Sequence, residues 1–213
     1  MSSLELRSVS NLNMSQSAPT SVGLFLLGGG QSRRFGTDKA SFEFEGTPLA
    51  VRIARRLSPL FGEATLVVRE QTDTLAGLGL PLLADLMPGN GPLGGLHAAL
   101  QAGHREHLTL CVACDMPWVD AQLLLEQVER LRALPERLAC VPFLDGRWHP
   151  LHGVYRGSAL GVVEALLAAG QLKLQRTCEE LDAIDILETS AAPLERWHRS
   201  LRNANTLDDL SAK

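Results

Sequence analysis

The chain has 213 residues, 45% of them hydrophobic and 21% charged, and carries a formal net charge of −4. Such a chain can bury most of its apolar surface without disulfides, and its charge gives no basis for general nucleic-acid binding. No stretch approaches the roughly 18 apolar residues needed to cross a membrane, and Met1 to Thr20 lacks the apolar centre of a signal peptide.

That opening segment is polar and rich in Ser and Asn, so residues 1–20 are expected to form a disordered leader, with Met14 as a candidate start. Residues 21–213 then read as a single domain. The apolar run Val22-Gly23-Leu24-Phe25-Leu26-Leu27 predicts a strand that runs straight into Gly28-Gly29-Gly30-Gln31-Ser32-Arg33-Arg34, with Asp38 and Lys39 close behind. Consecutive glycines let the backbone turn through positive φ and aim several N–H groups at one anion. Arg33, Arg34 and Lys39 add positive charge, so the segment reads as a phosphate grip at a strand end. It is not a Walker loop, because no lysine directly follows the last glycine. It is not a dinucleotide fingerprint either, because Arg33 stands where the third glycine belongs.

Pro48 to Leu60 reads as a helix, with Leu49, Ile53, Leu57 and Leu60 at helical spacing. Ala64 to Val68 is a predicted strand, and Leu82-Leu83-Ala84 a shorter one ending at Asp85. After the turn cluster Pro88 to Pro92, a small-residue helix is expected from Leu93 to Ala102. In Gly91-Pro92-Leu93-Gly94-Gly95-Leu96 the missing side chains would let a flat group or phosphate lie against the backbone, or let helix and sheet pack closely. Leu108 to Cys114 reads as a buried strand that ends abruptly at Asp115-Met116-Pro117. A helix from Ala121 to Leu134 follows, with Asp120 as its cap. Leu138 to Leu144 and His149 to Tyr155 read as strands joined by a tight turn at Asp145-Gly146, and Ala183 to Leu187 as a last short strand. Strands alternating with helices predict a mostly parallel sheet covered on both faces.

Ligands bind outside the carboxyl ends of strands in such sheets. Asp115 is therefore the leading metal candidate, because magnesium is a hard ion held by one or two carboxylates plus substrate phosphates. Lys39 could return to a triphosphate as a point charge, or remain a solvated lysine. Cys111 and Cys114 match a CxxC pair, but residues three apart on a strand face opposite ways. All four cysteines are expected to be reduced and buried, as suits a cytoplasmic protein. Among the six histidines, His104 and His107 read as solvated, while His149 and His152 read as structural groups near a strand tip that could face a second substrate.

Taken together, these residues resemble the molybdenum cofactor guanylyltransferases of the MobA type. Leu27-Gly28-Gly29-Gly30-Gln31-Ser32-Arg33-Arg34-Phe35-Gly36 with Asp38-Lys39 is similar to the family's LAGG-x-x-RRMG…DK opening. Gly91-Pro92-Leu93-Gly94-Gly95-Leu96 is similar to its GPLAG segment, and Cys114-Asp115-Met116-Pro117 to its CD-x-P motif. Arg147-Trp148-His149-Pro150-Leu151 and Asn203-Ala204-Asn205-Thr206 are similar to its R-x-HP and N-x-NT segments. The resemblance implies a three-layer αβα, Rossmann-like (GT-A-like) nucleotidyltransferase domain. It also implies transfer of GMP from GTP to molybdopterin cofactor, with Mg2+ as the metal and pyrophosphate as the second product. Leu27, Gly28, Gly29 and Gly30 would contact the nucleotide, Lys39 would bind it, and Asp85 would lie near it. Asp115 would hold nucleotide and magnesium, and Arg33 and Lys39 would share the charge of the phosphates. Gly28 replaces the family's usual alanine, a change the loop should tolerate, and Arg69 stands where some members carry a nucleotide-contacting Asn. A monomer is expected, with other molybdenum cofactor biosynthesis proteins and apo-molybdoenzymes as partners. A cytidylyltransferase on the same scaffold and a nucleotide-binding regulator without turnover are the competing readings.

Overall fold

Strand β1 (Val22–Leu27) is apolar on both faces because both faces are covered: Leu24 and Leu26 enter one side of the core, Phe25 and Leu27 the other. The computed structural model describes residues 21–28, 38–87, 89–103 and 108–204. The expected leader lies outside them, as do Gly29, Gly30, Arg33, Arg34, His104, His107 and Asn205.

After β1 come a 3-10 turn at Lys39–Ser41, a small hairpin of β2 (Glu43–Phe44) and β3 (Thr47–Pro48), and helix α1 (Leu49–Phe61). Strand β4 (Ala64–Val68), short helix α2 (Asp73–Ala76), strand β5 (Leu82–Ala84), helix α3 (Gly91–Gly103) and strand β6 (Leu108–Ala113) follow. Helix α4 (Ala121–Arg132) leads to β7 (Ala139–Val141), β8 (Phe143–Leu144), β9 (Arg147–Trp148) and β10 (His152–Arg156). The described chain closes with α5 (Leu160–Ala168), α6 (Leu174–Glu180), β11 (Ile184–Asp185) and α7 (Leu194–Ser200).

Seven strands form one sheet in the order β11-β7-β10-β6-β1-β4-β5. Its pairings are parallel except those of β10, which runs antiparallel to both β6 and β7. One face packs on α1, α4 and α7 through Ile53, Leu57, Leu124, Val128 and Trp197, and the other on α3, α5 and α6 through Leu96, Leu100, Val163 and Cys178. The fold is thus the expected three-layer αβα architecture with a mostly parallel sheet. Ile53 and Leu57, one helical turn apart, are fully buried. Each contributes about 1.5–3 kcal/mol of burial energy, which holds a helix that has no side-chain N-cap.

The expected strands from Leu138 to Leu144 and His149 to Tyr155 are each broken by a proline. Pro142 and Pro150 have no N–H for a ladder. The chain leaves the sheet at Pro142, whose carbonyl accepts the His149 N–H at 2.9 Å, and re-enters only at His152. Between them, Asp145 and Gly146 at φ 54° and 73° form the tight turn of a separate hairpin, β8–β9. The last strand is also shorter than Ala183 to Leu187. The Asp185 carboxylate accepts the Leu187 N–H at 3.0 Å and turns the chain into a 3-10 helix at Ile186–Glu188. The Glu45-Gly46 hairpin was not anticipated; its mark in the sequence is that pair flanked by Phe44 and Thr47.

Candidate active site

Read across one half of the sheet, the order β5-β4-β1-β6 places a reversal between β1 and β6: the chain winds outward from β1 to β4 and β5, then returns to β1's other side. That reversal opens a crevice at the strands' carboxyl ends. Gly28 lies on one wall and Asp115 on the other, because the Cys114 N–H donates to the Leu27 carbonyl at 3.1 Å and carries the β1–β6 pairing one step past β6.

Gly28 does not take up positive φ. Its N–H donates to the Val67 carbonyl at 2.8 Å, so it still pairs with β4. A Cβ there would lie 3.2 Å from both Leu66 Cδ1 and the Val67 carbonyl oxygen. Close approach of two strand ends, rather than a left-handed turn, is what favours glycine at this position. Gly29, Gly30 and Arg33 lie outside the described residues.

Asp38 caps the turn that presents Lys39: its carboxylate accepts the Ala40 N–H at 2.9 Å, while partial burial raises its pKa. Lys39 then reaches across the crevice to Asp115, Nζ to Oδ2 at 2.9 Å. Both side chains are largely shielded, at 18% and 16% exposure. The second carboxylate oxygen, Asp115 Oδ1, is buried and accepts no hydrogen bond. Lys39 is therefore not the solvated surface lysine of the alternative reading.

Arg69 and Asp85 end the adjacent strands β4 and β5 and line, with Leu27, Gly91, Pro92 and Gly95, a cleft of about 200 Å³. Asp85 Oδ1 accepts the Met87 N–H at 2.8 Å. The bare face of Gly94 is filled by the Asp85 carboxylate, whose oxygens lie 2.7 and 2.9 Å from where a Cβ would stand. The corresponding space at Gly95 faces Leu27 Cδ2 at 3.2 Å. Close packing thus accounts for both glycines, with Gly95 also forming part of the cleft wall.

His149 sits half-buried before β10, its Nε2 without a hydrogen-bond partner. Burial, and then Arg147, lower its pKa. His152 is fully buried between Gln127 and Ser200 and is structural, as expected. Cys111 and Cys114 face opposite sides of the sheet, and all four cysteines are buried and free. Among the described residues no group of three or more His, Cys, Asp or Glu side chains is placed to hold a metal by itself. No helix among them is long and apolar enough to cross a membrane. Sequence reasoning missed Trp118, which packs edge-on against Phe44 and carries the Arg202 guanidinium 4.6 Å from its ring centre. Its only sequence signal was its place just after Asp115-Met116-Pro117.

Residues 24–184 match the model of the MobA-like NTP transferase domain. The chain belongs to that family. It is 30% identical over 204 residues to the molybdenum cofactor guanylyltransferase of Burkholderia ambifaria, covering 92% of this chain and 96% of the relative. Among solved structures it is similar to the molybdopterin-guanine dinucleotide biosynthesis protein A of Archaeoglobus fulgidus. There the TM-score is 0.72 at 26% identity, over 89% of this chain and 95% of the other. The 2-C-methyl-D-erythritol 4-phosphate cytidylyltransferase of Thermus thermophilus shares the fold at a TM-score of 0.60 and 14% identity, over 88% and 94% of the two chains. Within this MobA-like frame, Leu27, Gly28, Lys39, Arg69, Asp85 and Asp115 all fall along the carboxyl edge of four adjacent parallel strands.

Proposed function

We propose that this protein transfers the GMP moiety of GTP to molybdopterin cofactor, releasing pyrophosphate and forming the guanine dinucleotide cofactor. The observation that carries the reading is the meeting of Lys39 and Asp115 at the reversal point of the sheet, beside a cleft walled by Asp85 and Arg69. The names of the relative from Burkholderia and the structural neighbour from Archaeoglobus support the choice of base and acceptor.

Asp115 fits a magnesium ion. It offers one buried carboxylate oxygen with no partner, and a hard ion of this kind takes few protein ligands when phosphates supply others. Bound there, magnesium would offset negative charge on the phosphates. Lys39 contributes a mobile positive charge to the triphosphate, and the β1 end brings backbone close to it. No protein nucleophile is required. A phosphate oxygen of the pterin bonds to the α-phosphorus as the bond to the bridging oxygen of pyrophosphate breaks, so catalysis is mainly positioning and charge neutralisation. The pterin approaches from the side of His149 and the β8–β9 hairpin, because the β4–β5 side is taken by the nucleotide cleft.

The test is pyrophosphate release with a panel of nucleoside triphosphates, with and without molybdopterin cofactor and magnesium. Turnover with GTP alone among the bases, dependent on both pterin and metal, is expected. Turnover with CTP would assign the cytidylyltransferase chemistry instead, and nucleotide binding without turnover would leave a regulator.

A further inference from the structure

The loop from Asp115 to Asp120 joins β6 to α4, and the segment from Arg196 to Ala204 runs beside it in the opposite direction. The Ala204 N–H donates to the Asp115 carbonyl at 2.8 Å. Arg202 stacks on Trp118. Ser200 Oγ accepts the Asp120 N–H at 2.9 Å, and Arg196 grips both Asp120 carboxylate oxygens at 2.7 and 2.9 Å. Residues 115, 118 and 120 are thus held in turn by 204, 202, and 200 with 196.

We infer that this C-terminal segment is a clasp that positions the Asp115 carboxylate, with Ser200 as its key positioning residue. The inference rests on the reading of Asp115 as the metal-holding carboxylate.

Ser200 is suited to this because its hydrogen-bond directions are fixed. With the Gln127 amide turned so that its nitrogen donates to the carbonyls of His152 at 2.9 Å and Cys140 at 3.1 Å, its oxygen accepts from His152 Nδ1 at 3.0 Å. That fixes the His152 tautomer with Nε2 as acceptor. The Ser200 hydroxyl hydrogen therefore points to Nε2, 2.8 Å away, and leaves a lone pair for the Asp120 N–H. The Ser–His–Gln arrangement could suggest a nucleophile, but Ser200 and His152 are only 1% and 0% exposed and no substrate reaches them. What they do is lock the end of α7, from which the chain runs to the Asp115 carbonyl. A loop held on one side by β6 and on the other by this track has little freedom to swing its carboxylate.

Mn2+ uptake by the full chain, followed by electron paramagnetic resonance with a non-hydrolysable GTP analogue present, tests this directly. Ser200→Ala and Arg202→Ala should weaken Mn2+ binding about tenfold, the usual loss when a group orienting a metal ligand is removed. Binding of the analogue without metal should be unchanged. Arg202 lies outside the buried network, so its variant keeps the test open should Ser200→Ala fold poorly. Arg137→Ala, which loses an ion pair to Asp182 away from this track, controls for general destabilisation and should keep wild-type Mn2+ affinity. Folded Ser200 and Arg202 variants with wild-type affinity, or an equal loss in the Arg137 control, would overturn the clasp. Failure of the underlying reading looks different: wild-type protein would take up no Mn2+ with the analogue, or Asp115→Asn would take it up normally.

Discussion

Lys39 Nζ lies 2.9 Å from Asp115 Oδ2, although the two residues are 76 positions apart. The pair brings the element after the glycine loop together with the end of β6. It also means that a lysine and a cation would share one carboxylate. A triphosphate that draws Lys39 away frees that carboxylate, so nucleotide and metal should each favour binding of the other.

Lys39→Met separates the two effects. Nucleotide-free protein should bind Mn2+ severalfold more tightly, because the competing ammonium is gone. GTP affinity should fall by about 1.5–3 kcal/mol, the worth of a hydrogen bond to a charged group. Titration calorimetry measures both, and parallel weakening of metal and nucleotide would contradict the competition.

Asp115→Asn keeps the shape of the side chain and removes its charge. Turnover should nearly vanish even at saturating magnesium, while the chain still folds, with some fall in melting temperature from the lost ion pair to Lys39. A folded variant with near-normal turnover would remove Asp115 from the metal site.

Gly94→Ala should affect binding more than stability. Alanine gains about 1 kcal/mol of helix propensity over glycine, and the atoms in its way are mainly the movable tip of Asp85. The carboxylate would have to leave its place on the cleft wall, so KM for GTP should rise while thermal unfolding shifts little. An unchanged KM would mean that the position of Asp85 does not matter to the nucleotide.

His152 makes stability depend on acidity. Burial pushes its imidazole down to about 4 from the ordinary 6.5. Its pKa is lower in the folded chain than in the unfolded one, so between about 6.5 and 4 only the unfolded chain takes up this proton. Stability should therefore fall as pH falls through that window, by about 3 kcal/mol in all, and be unaffected by this group above it. Urea unfolding from pH 7 to pH 4 on wild type and His152→Leu tests it. The variant should lose this part of the acid sensitivity, whatever its overall stability.

The elements around the site were legible because each announces itself locally. The apolar runs of β1, β4 and β6 have length and composition that suit a strand covered on both faces, and Asp115 stands out at the end of the last. Asp120 was readable as a cap from its place before an amphipathic run, and its carboxylate does accept the Gln122 N–H. Pairing is another matter. Nothing in the order of residues says that β10 enters the sheet reversed between β6 and β7, or that Lys39 crosses to Asp115, since both depend on contacts distant in sequence. The prolines at 142 and 150 were visible, but their effect on the late strands became plain only once the ladder they interrupt was known. Ser200 and Arg202 carried no periodic or motif signal at all, because their contribution comes from running beside a loop some 80 residues earlier in the chain.

The direction of that pairing also bears on when the protein becomes competent during synthesis. Every strand of the seven-stranded sheet precedes residue 186, so the residues that grip the Asp115 loop are synthesised after all of them. Residues 196 to 204 arrive afterwards and fasten a loop whose strand is already made. A chain truncated before them would lose Trp197 from the core as well as this grip, and would hold the Asp115 loop from one side only.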